Sequence, residues 1–141
     1  MTFVRSFQLS DYAEVRELLQ DVLSDECYEE TIEAFGKQLS WDCDLVLVAI
    51  ASQQVVGVII GTIDNNNGYY YRIAVSENYQ RKGIGKQLTQ VLKKRFEQRK
   101  VSKVLVTLDS HNELVRPFYE SLGYEQHDFH RSFRQLSIVS G

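Results

Sequence analysis

Apolar and polar positions along this chain repeat with two different periods, and the changes of period divide it into elements. Thr2 to Gln8 sets Phe3, Arg5 and Phe7 against Val4, the two-residue repeat of a short strand. Ser10 and Asp11 then precede Val15, Leu18, Leu19 and Val22, whose three- and four-residue steps predict an amphipathic helix. Ile32, Phe35 and Leu39 predict a second helix over about Tyr28 to Leu39. Leu45 to Ala51 and Val55 to Ile63 are apolar runs of strand length, and Ser52-Gln53-Gln54 between them is short enough for a hairpin. Asn65-Asn66-Asn67-Gly68 reads as another tight turn, because Asn and Gly tolerate positive φ. Tyr69 to Val75 follows as a third antiparallel partner, rich in aromatic and β-branched residues.

Beyond Val75 helix and strand alternate. Ile84, Leu88, Val91, Leu92 and Phe96 mark a long helix, and Lys103 to Leu108 is a strand. Strand, crossover helix and strand make a βαβ unit, which requires parallel pairing and a right-handed connection. Leu114, Val115, Phe118 and Leu122 predict a last helix ending at Gly123, and Gln126 to Val139 predicts one or two further strands. The order β-α-α-β-β-β-α-β-α-β-(β) indicates an α/β fold, a mixed twisted sheet with helices on both faces.

Composition narrows the function classes. The 141 residues suit a single domain over 1–141, at roughly 150 residues per domain. Hydrophobic residues at 43% and charged residues at 25% exclude the disordered class. No apolar stretch approaches the ~20 residues needed to span a bilayer, and Met1 to Ser6 lacks a signal-peptide pattern, so a cytoplasmic protein without a membrane partner is expected. Cys27 and Cys43 lack C-x-x-C spacing, and His111, His127 and His130 form no H-E-x-x-H arrangement, so no metal site is expected. The net charge of −3 conceals a split. Residues 1–70 carry three bases and twelve acids, a net of −9, whereas residues 71–141 carry thirteen bases and seven acids, a net of +6.

The positive half holds the most specific motif, Gln80-Arg81-Lys82-Gly83-Ile84-Gly85-Lys86, between a strand and the long helix. Gly83 and Gly85 let backbone approach a ligand, the first-turn amides point outward, and Arg81, Lys82 and Lys86 add charge, which together make a phosphate cradle. Neither the P-loop nor the dinucleotide fingerprint fits, since G-x-x-x-x-G-K-[ST] is absent and G-x-G-x-x-G would need glycine at Leu88.

With these residues in place the chain resembles the GNAT N-acetyltransferase superfamily, whose cofactor-binding signature is Q/R-x-x-G-x-G/A between the fourth strand and third helix. Gln80, Gly83 and Gly85 match it, and Ile73-Ala74-Val75-Ser76 resembles the end of that fourth strand. A second segment, from Asn112 through Phe118-Tyr119-Glu120 to Gly123-Tyr124, resembles the family's N-x-x-A-x-x-[FL]-Y-E-x-x-G-[FY]. The resemblance implies acetyl-CoA as donor and no metal. The backbone of Ile73, Ala74 and Val75 would bond the pantetheine arm like an added strand, in a gap opened between the strands ending at Val75 and Leu108. The amides from Arg81 to Lys86 would take the pyrophosphate, and Asn112 would contact the pantetheine. Tyr119 is the implied catalytic residue, a protonated phenol that supplies a proton to the departing thiolate. Asn112 and Tyr119 are seven apart, two helical turns, so both face one ligand if the helix begins early.

Two residues depart from the family pattern: Val115 stands where alanine is usual, and Pro117 lies inside the expected helix. The place where some members carry a glutamate base falls near Tyr69, in Tyr69-Tyr70-Tyr71, which contains no carboxylate. A base would be a water held by a tyrosine hydroxyl or a carboxylate such as Asp109, and Arg72, charged at any working pH, cannot serve.

In this family the first two helices commonly wall the acceptor site. Here Asp21, Asp25, Glu26, Glu29, Glu30 and Glu33 crowd that region with no base between Arg16 and Lys37, which favours a cationic amine of a small molecule or peptide. The alternative is a non-catalytic acyl-CoA-binding module. A nucleic-acid partner would use the nine bases from Arg81 to Lys103, but the overall pI of about 5.6 argues against it. A monomer and a homodimer are both compatible with the sequence.

Overall fold

Two pairs of polar residues with positive φ fold the first half of the sheet. In the computed structural model, which describes residues 1–131, Ser52 (φ 50°) and Gln53 (φ 65°) join β2 (Val46–Ala51) to β3 (Gln54–Asp64). Asn65 (φ 51°) and Asn66 (φ 63°) join β3 to β4 (Asn67–Val75). Both are two-residue loops with positive φ at both positions, whose twist matches that of paired strands. Gly68 is not a turn residue as its sequence context suggests. It lies in β4 facing Phe96, whose ring atoms stand 2.7–2.9 Å from where a Cβ would be.

The six strands lie in sequence order. β1 (Thr2–Ser6) pairs antiparallel with β2, β2 with β3 and β3 with β4, while β5 (Lys103–Leu108) runs parallel to β4 and β6 (Phe129–Arg131) parallel to β5. The predicted tail strand is thus met in part, and residues 132–139 of that prediction lie outside the described residues. Every residue of β2 is buried, as expected of a strand covered on both faces. On one face α1 (Tyr12–Val22) and α2 (Asp25–Trp41) cover Val46, Val48, Val58, Ile60 and Tyr71; on the other, α3 (Ile84–Gln98) and α4 (Arg116–Ser121) cover Leu47, Ile59, Tyr70 and Val106.

Helix ends follow their local chemistry. α2 begins three residues before the predicted boundary because the Ser24 hydroxyl accepts from the Cys27 amide and caps it. The last helix is shorter than predicted. Glu113–Val115 form a 3₁₀ turn, α4 starts at Arg116 with Pro117 in its first turn, and Leu114 is exposed rather than packed.

Arg5 and Asp11 tie β1 to the start of α1. Arg5 donates to both Asp11 oxygens at 2.7 and 2.8 Å, and the Gln8 amide donates to one of them at 2.8 Å. The Arg5 hydrogen bond holds the Asp11 carboxyl below its ordinary pKa of 3.8. The resulting stabilisation is complete above the ordinary value and is lost as pH falls through the lower folded one. Asp11→Asn is expected to cost about 1.5–3 kcal/mol at pH 7, with the difference from wild type shrinking toward pH 3 when urea unfolding is compared across that range.

Candidate active site

β4 and β5 run side by side only as far as Tyr70 and Val106. At that level the β3–β4 register slips: Ile60 pairs with Arg72 and Gly61 with Tyr70, which leaves Tyr71 as the extra residue of a bulge. A bulge bends its strand and increases its twist, and here it turns the end of β4 away from β5. From Arg72 to Val75, β4 keeps β3 on one side, while its other edge has no strand partner among the described residues. This edge forms one wall of a cleft of about 660 Å³.

Ile73, Ala74, Val75, Gln80, Arg81, Gly83, Ile84, Gly85, Lys86 and Asn112 all line that cleft. The loop from β4 to α3 is held against the strand by Gln80, whose side-chain amide donates to the Val75 carbonyl at 2.9 Å. Gly83, at φ 82°, is the N-cap residue of α3, with open space where its Cβ would be. It provides no capping side chain, so the first-turn amides lack an intrahelical acceptor, and the first helical bond is Gln87 to the Gly83 carbonyl. Unpaired strand edge, uncapped helix start and two cations in one cleft suit an extended ligand that ends in phosphates.

Gly85 has a packing job besides its place in the cleft lining. A Cβ there would stand 3.1 Å from the Phe118 ring, so this glycine admits α4 against α3. Lys82 does not line the cleft, and its ammonium lies 5.3 Å from the Tyr79 ring centre. Val115 does line it, as does Phe118.

Asn112 and Tyr119 do not share a face. Because Pro117 confines α4 to residues from Arg116 onward, Asn112 sits in the preceding loop. Its side chain accepts from the Asp109 amide at 2.7 Å and donates to the Thr107 carbonyl at 2.7 Å. Tyr119 lies outside the cleft lining, 2% exposed, stacked on Tyr70 at 5.3 Å and edge-on to the cleft-lining Phe118 at 5.0 Å. Burial raises its pKa, with the Thr89 hydroxyl as its polar neighbour. The phenol is therefore protonated throughout the working pH range. Tyr70 and Tyr71 are also buried; the Tyr70 and Tyr124 hydroxyls share a hydrogen bond at 2.5 Å, and Arg72 lies over the Tyr71 ring at 4.8 Å.

At the parted end of β4 and β5 the structure gathers residues the motifs leave out. Arg72, its side chain only 2% exposed, donates to both oxygens of Asp109 at 3.2 and 3.3 Å and to the Thr31 hydroxyl at 2.9 Å. Burial works against its charge, and the Tyr71 phenol together with Asp109 outweighs burial, so the guanidinium pKa is raised. Asp109, an expected base candidate, is thereby a neutralised partner of a cation. Glu30 reaches to 4.0 Å from Arg72 and to 3.3 Å from His111 Nε2, and His111 lines the cleft along with Val22 and Leu23. Glu30 and His111 are 81 positions apart in sequence, so no spacing rule could have joined them.

The family model for the acetyltransferase (GNAT) domain matches residues 8–140. Among solved structures, the fold is similar to that of a PaiA N-acetyltransferase from Thermoplasma acidophilum in complex with coenzyme A. The TM-score is 0.70 at 19% identity, over 89% of this chain and 90% of that one. A ribosomal-protein alanine N-acetyltransferase from Escherichia coli gives 0.69 at 21% identity, over 89% and 78%. The aminoglycoside acetyltransferase AAC(6')-Iy, bound to a bisubstrate analogue of CoA and acetylneamine, gives 0.73 at 14% identity, over 97% and 99%. At these identities the structural likeness is one of fold, and the family match extends over nearly the whole sequence. The chain belongs to the GNAT family of acetyltransferases.

Proposed function

We propose that this protein transfers the acetyl group of acetyl-CoA to a primary amine of a cationic acceptor, by direct attack within a ternary complex. The observation that carries this reading is the continuity of the cleft. The unpaired edge of Ile73 to Val75 leads without a break into the uncapped start of α3, with Arg81 and Lys86 on its wall. A pantetheine arm would extend the sheet as an added strand, and the pyrophosphate would meet the α3 amides. Direct attack is supported by where the thiols are: Cys27 is buried in α2, Cys43 is exposed beyond its end, and neither lines the cleft.

The cationic acceptor is supported by the acids of α1 and α2 that flank the cleft-lining Val22 and Leu23. Among the described residues Asp21, Asp25, Glu26 and Glu29 take part in no salt bridge, so their charge is not cancelled locally. Asp21 also lines two further depressions, one with Val22 and the other with Glu14 and Glu17. The AAC(6')-Iy structure holds an aminoglycoside-derived analogue and the Escherichia coli relative acts on a protein alanine, two acceptors with an amine in common. Acceptor choice within that class rests on the walls at α1 and α2.

Tyr119 supplies a proton to the leaving thiolate in this reading, supported by its protonated state and by its ring packing edge-on against the cleft-lining Phe118. Catalytic hydrogen bonds often tighten only when substrate is bound.

Thiol release from acetyl-CoA over spermidine, amino sugars, amino-acid amides and lysine peptides is expected to be fastest with a polycation, with intersecting double-reciprocal plots. A preference for neutral or anionic acceptors would remove the steering argument, and CoA binding without thiol release would make the protein a binding module. Arg81→Ala with Lys86→Ala is expected to raise the KM for acetyl-CoA about 10- to 100-fold, as loss of one or two charge-assisted phosphate contacts requires, with kcat nearly unchanged. Tyr119→Phe is expected to lower kcat about 10- to 100-fold without changing acetyl-CoA affinity, while an unchanged kcat assigns Tyr119 to packing alone.

A further inference from the structure

An ammonium has no lone pair, so amine acetylation needs a proton acceptor near the acyl end of the cleft, where β4 and β5 part. Ionisable groups from three elements meet there: Arg72 and Tyr71 from β4, Asp109 and His111 from the end of β5 and its following loop, and Glu30 with Cys27 from α2. Arg72 stays charged, and both oxygens of Asp109 accept from it. Glu30 Oε2 is shared between Arg72 and His111 Nε2. His111 alone combines a place in the cleft lining with a ring nitrogen, Nδ1, that has no hydrogen-bond partner among the described residues. We propose that His111, oriented by Glu30, is the general base of this enzyme. The proposal rests on the acetyl-transfer reading above.

The imidazole is held from several directions. The His111 amide donates to Asp109 Oδ1 at 2.9 Å, and Asn112 closes the turn by accepting from the Asp109 amide and donating to the Thr107 carbonyl. The loop is thus pinned on both sides of the residue, and Arg72 anchors the carboxylate that starts it. Glu30 Oε2 stands 3.3 Å from Nε2, and a carboxylate there favours the tautomer that carries its proton on Nε2 and its lone pair on Nδ1. A carboxylate behind an imidazole fixes its orientation and stabilises the imidazolium formed in the reaction. Imidazoles as a class titrate close to neutrality and suit this role.

The step balances without a further reactant. Nδ1 takes one proton from the acceptor ammonium, and the freed nitrogen lone pair attacks the thioester carbonyl. The C–N bond forms and the C–S bond breaks as the tetrahedral adduct collapses. The second amine proton passes from the adduct nitrogen to the departing sulfur, with Tyr119 giving its phenolic proton to sulfur and recovering one from the nitrogen, so that the CoA thiol leaves neutral. The first proton leaves the imidazolium to solvent. Glu30 touches none of the reacting atoms and is a positioning residue.

The test uses the full-length protein, acetyl-CoA and spermidine, with thiol release followed from pH 5.5 to 10 and acetyl-CoA binding measured by calorimetry. His111→Gln is expected to bind acetyl-CoA like the wild type and to lose about 100-fold or more in kcat/KM for spermidine at pH 7. That deficit narrows toward pH 10, where the amine reaches the site already deprotonated. The acidic limb of the wild-type profile disappears in the variant. His111→Ala, assayed beside it, is expected to recover rate when imidazole is added, which a merely structural histidine would not show. Glu30→Gln is expected to lower kcat several-fold with the KM for acetyl-CoA unchanged, a split that a merely structural role would not give. A His111→Gln enzyme with wild-type kcat/KM and an unaltered profile overturns the base and leaves acetyl transfer standing. A wild-type protein that binds acetyl-CoA and releases no thiol with any amine overturns both.

Discussion

The separation of β4 from β5 beyond Tyr70 and Val106 is the constraint on which the rest of the site depends. A continuous parallel pair would satisfy its backbone groups internally and leave no slot. The bulge at Tyr71 ends that pairing, and the freed edge then needs other partners, because buried amide and carbonyl groups are costly unpaired. A ligand with its own amide groups satisfies that requirement. The cleft is thus a sheet with one strand position left open, and α3 begins where that position ends, so cradle and slot share one axis.

Opening the sheet also decides where charge is buried. Arg72 comes directly after the bulged residue, and its guanidinium is almost wholly enclosed at the parted end. A buried cation must be paired and hydrogen-bonded. Asp109, Thr31 and Tyr71 supply those contacts from the loop after β5, from α2 and from β4, with Glu30 at the edge. The cluster therefore fastens α2 and the loop after β5 to the same point, and that loop carries His111 and Asn112 into the cleft. Structural pairing and candidate chemistry are one network here. Substitution at Arg72 would disturb both together, so His111 and Glu30 are the positions at which chemistry separates from folding.

The uneven distribution of charge has a matching layout. Part of the acidic half is neutralised by pairing, Asp11 with Arg5, Asp42 and Asp44 with Arg99, and Glu33 with Lys37. Of the acids in that half that remain without salt bridges among the described residues, Asp21, Asp25, Glu26 and Glu29 group around the junction of α1 and α2, while Glu14, Glu17 and Asp64 lie elsewhere. The residues at that junction that reach the cleft wall are Val22 and Leu23. Positive charge from Arg81 and Lys86 lines the same cleft where α3 begins. In the proposed reaction a polyanionic donor and a cationic acceptor each face charge of opposite sign, which raises local concentration without specifying either ligand's shape.

Element types and order were legible in the sequence because they rest on short-range rules. The Asn65-Asn66 turn, the two crossover helices and the glycine at the start of α3 each follow from a few adjacent residues and their φ preferences. The cradle was legible for the same reason, being one loop and one helix terminus. What lay beyond sequence reasoning involved distance along the chain. Gly68 was read as a turn glycine but makes room for the Phe96 ring, and Gly85, besides lining the cleft, makes room for the Phe118 ring. The seven-residue step from Asn112 to Tyr119 is two turns only in a continuous helix, and Pro117 starts that helix too late, so one side chain meets the cleft and the other the core. The sequence alone determined that a glycine-led, basic helix start follows a strand in a mixed sheet. Only the tertiary structure decided that this strand parts from its neighbour, and that Glu30, Arg72, Asp109 and His111 meet at the opening. The physical reason is that hydrophobic period and turn chemistry act over a few residues, whereas a bulge, a buried cation and its partners are set by the packing of the whole sheet.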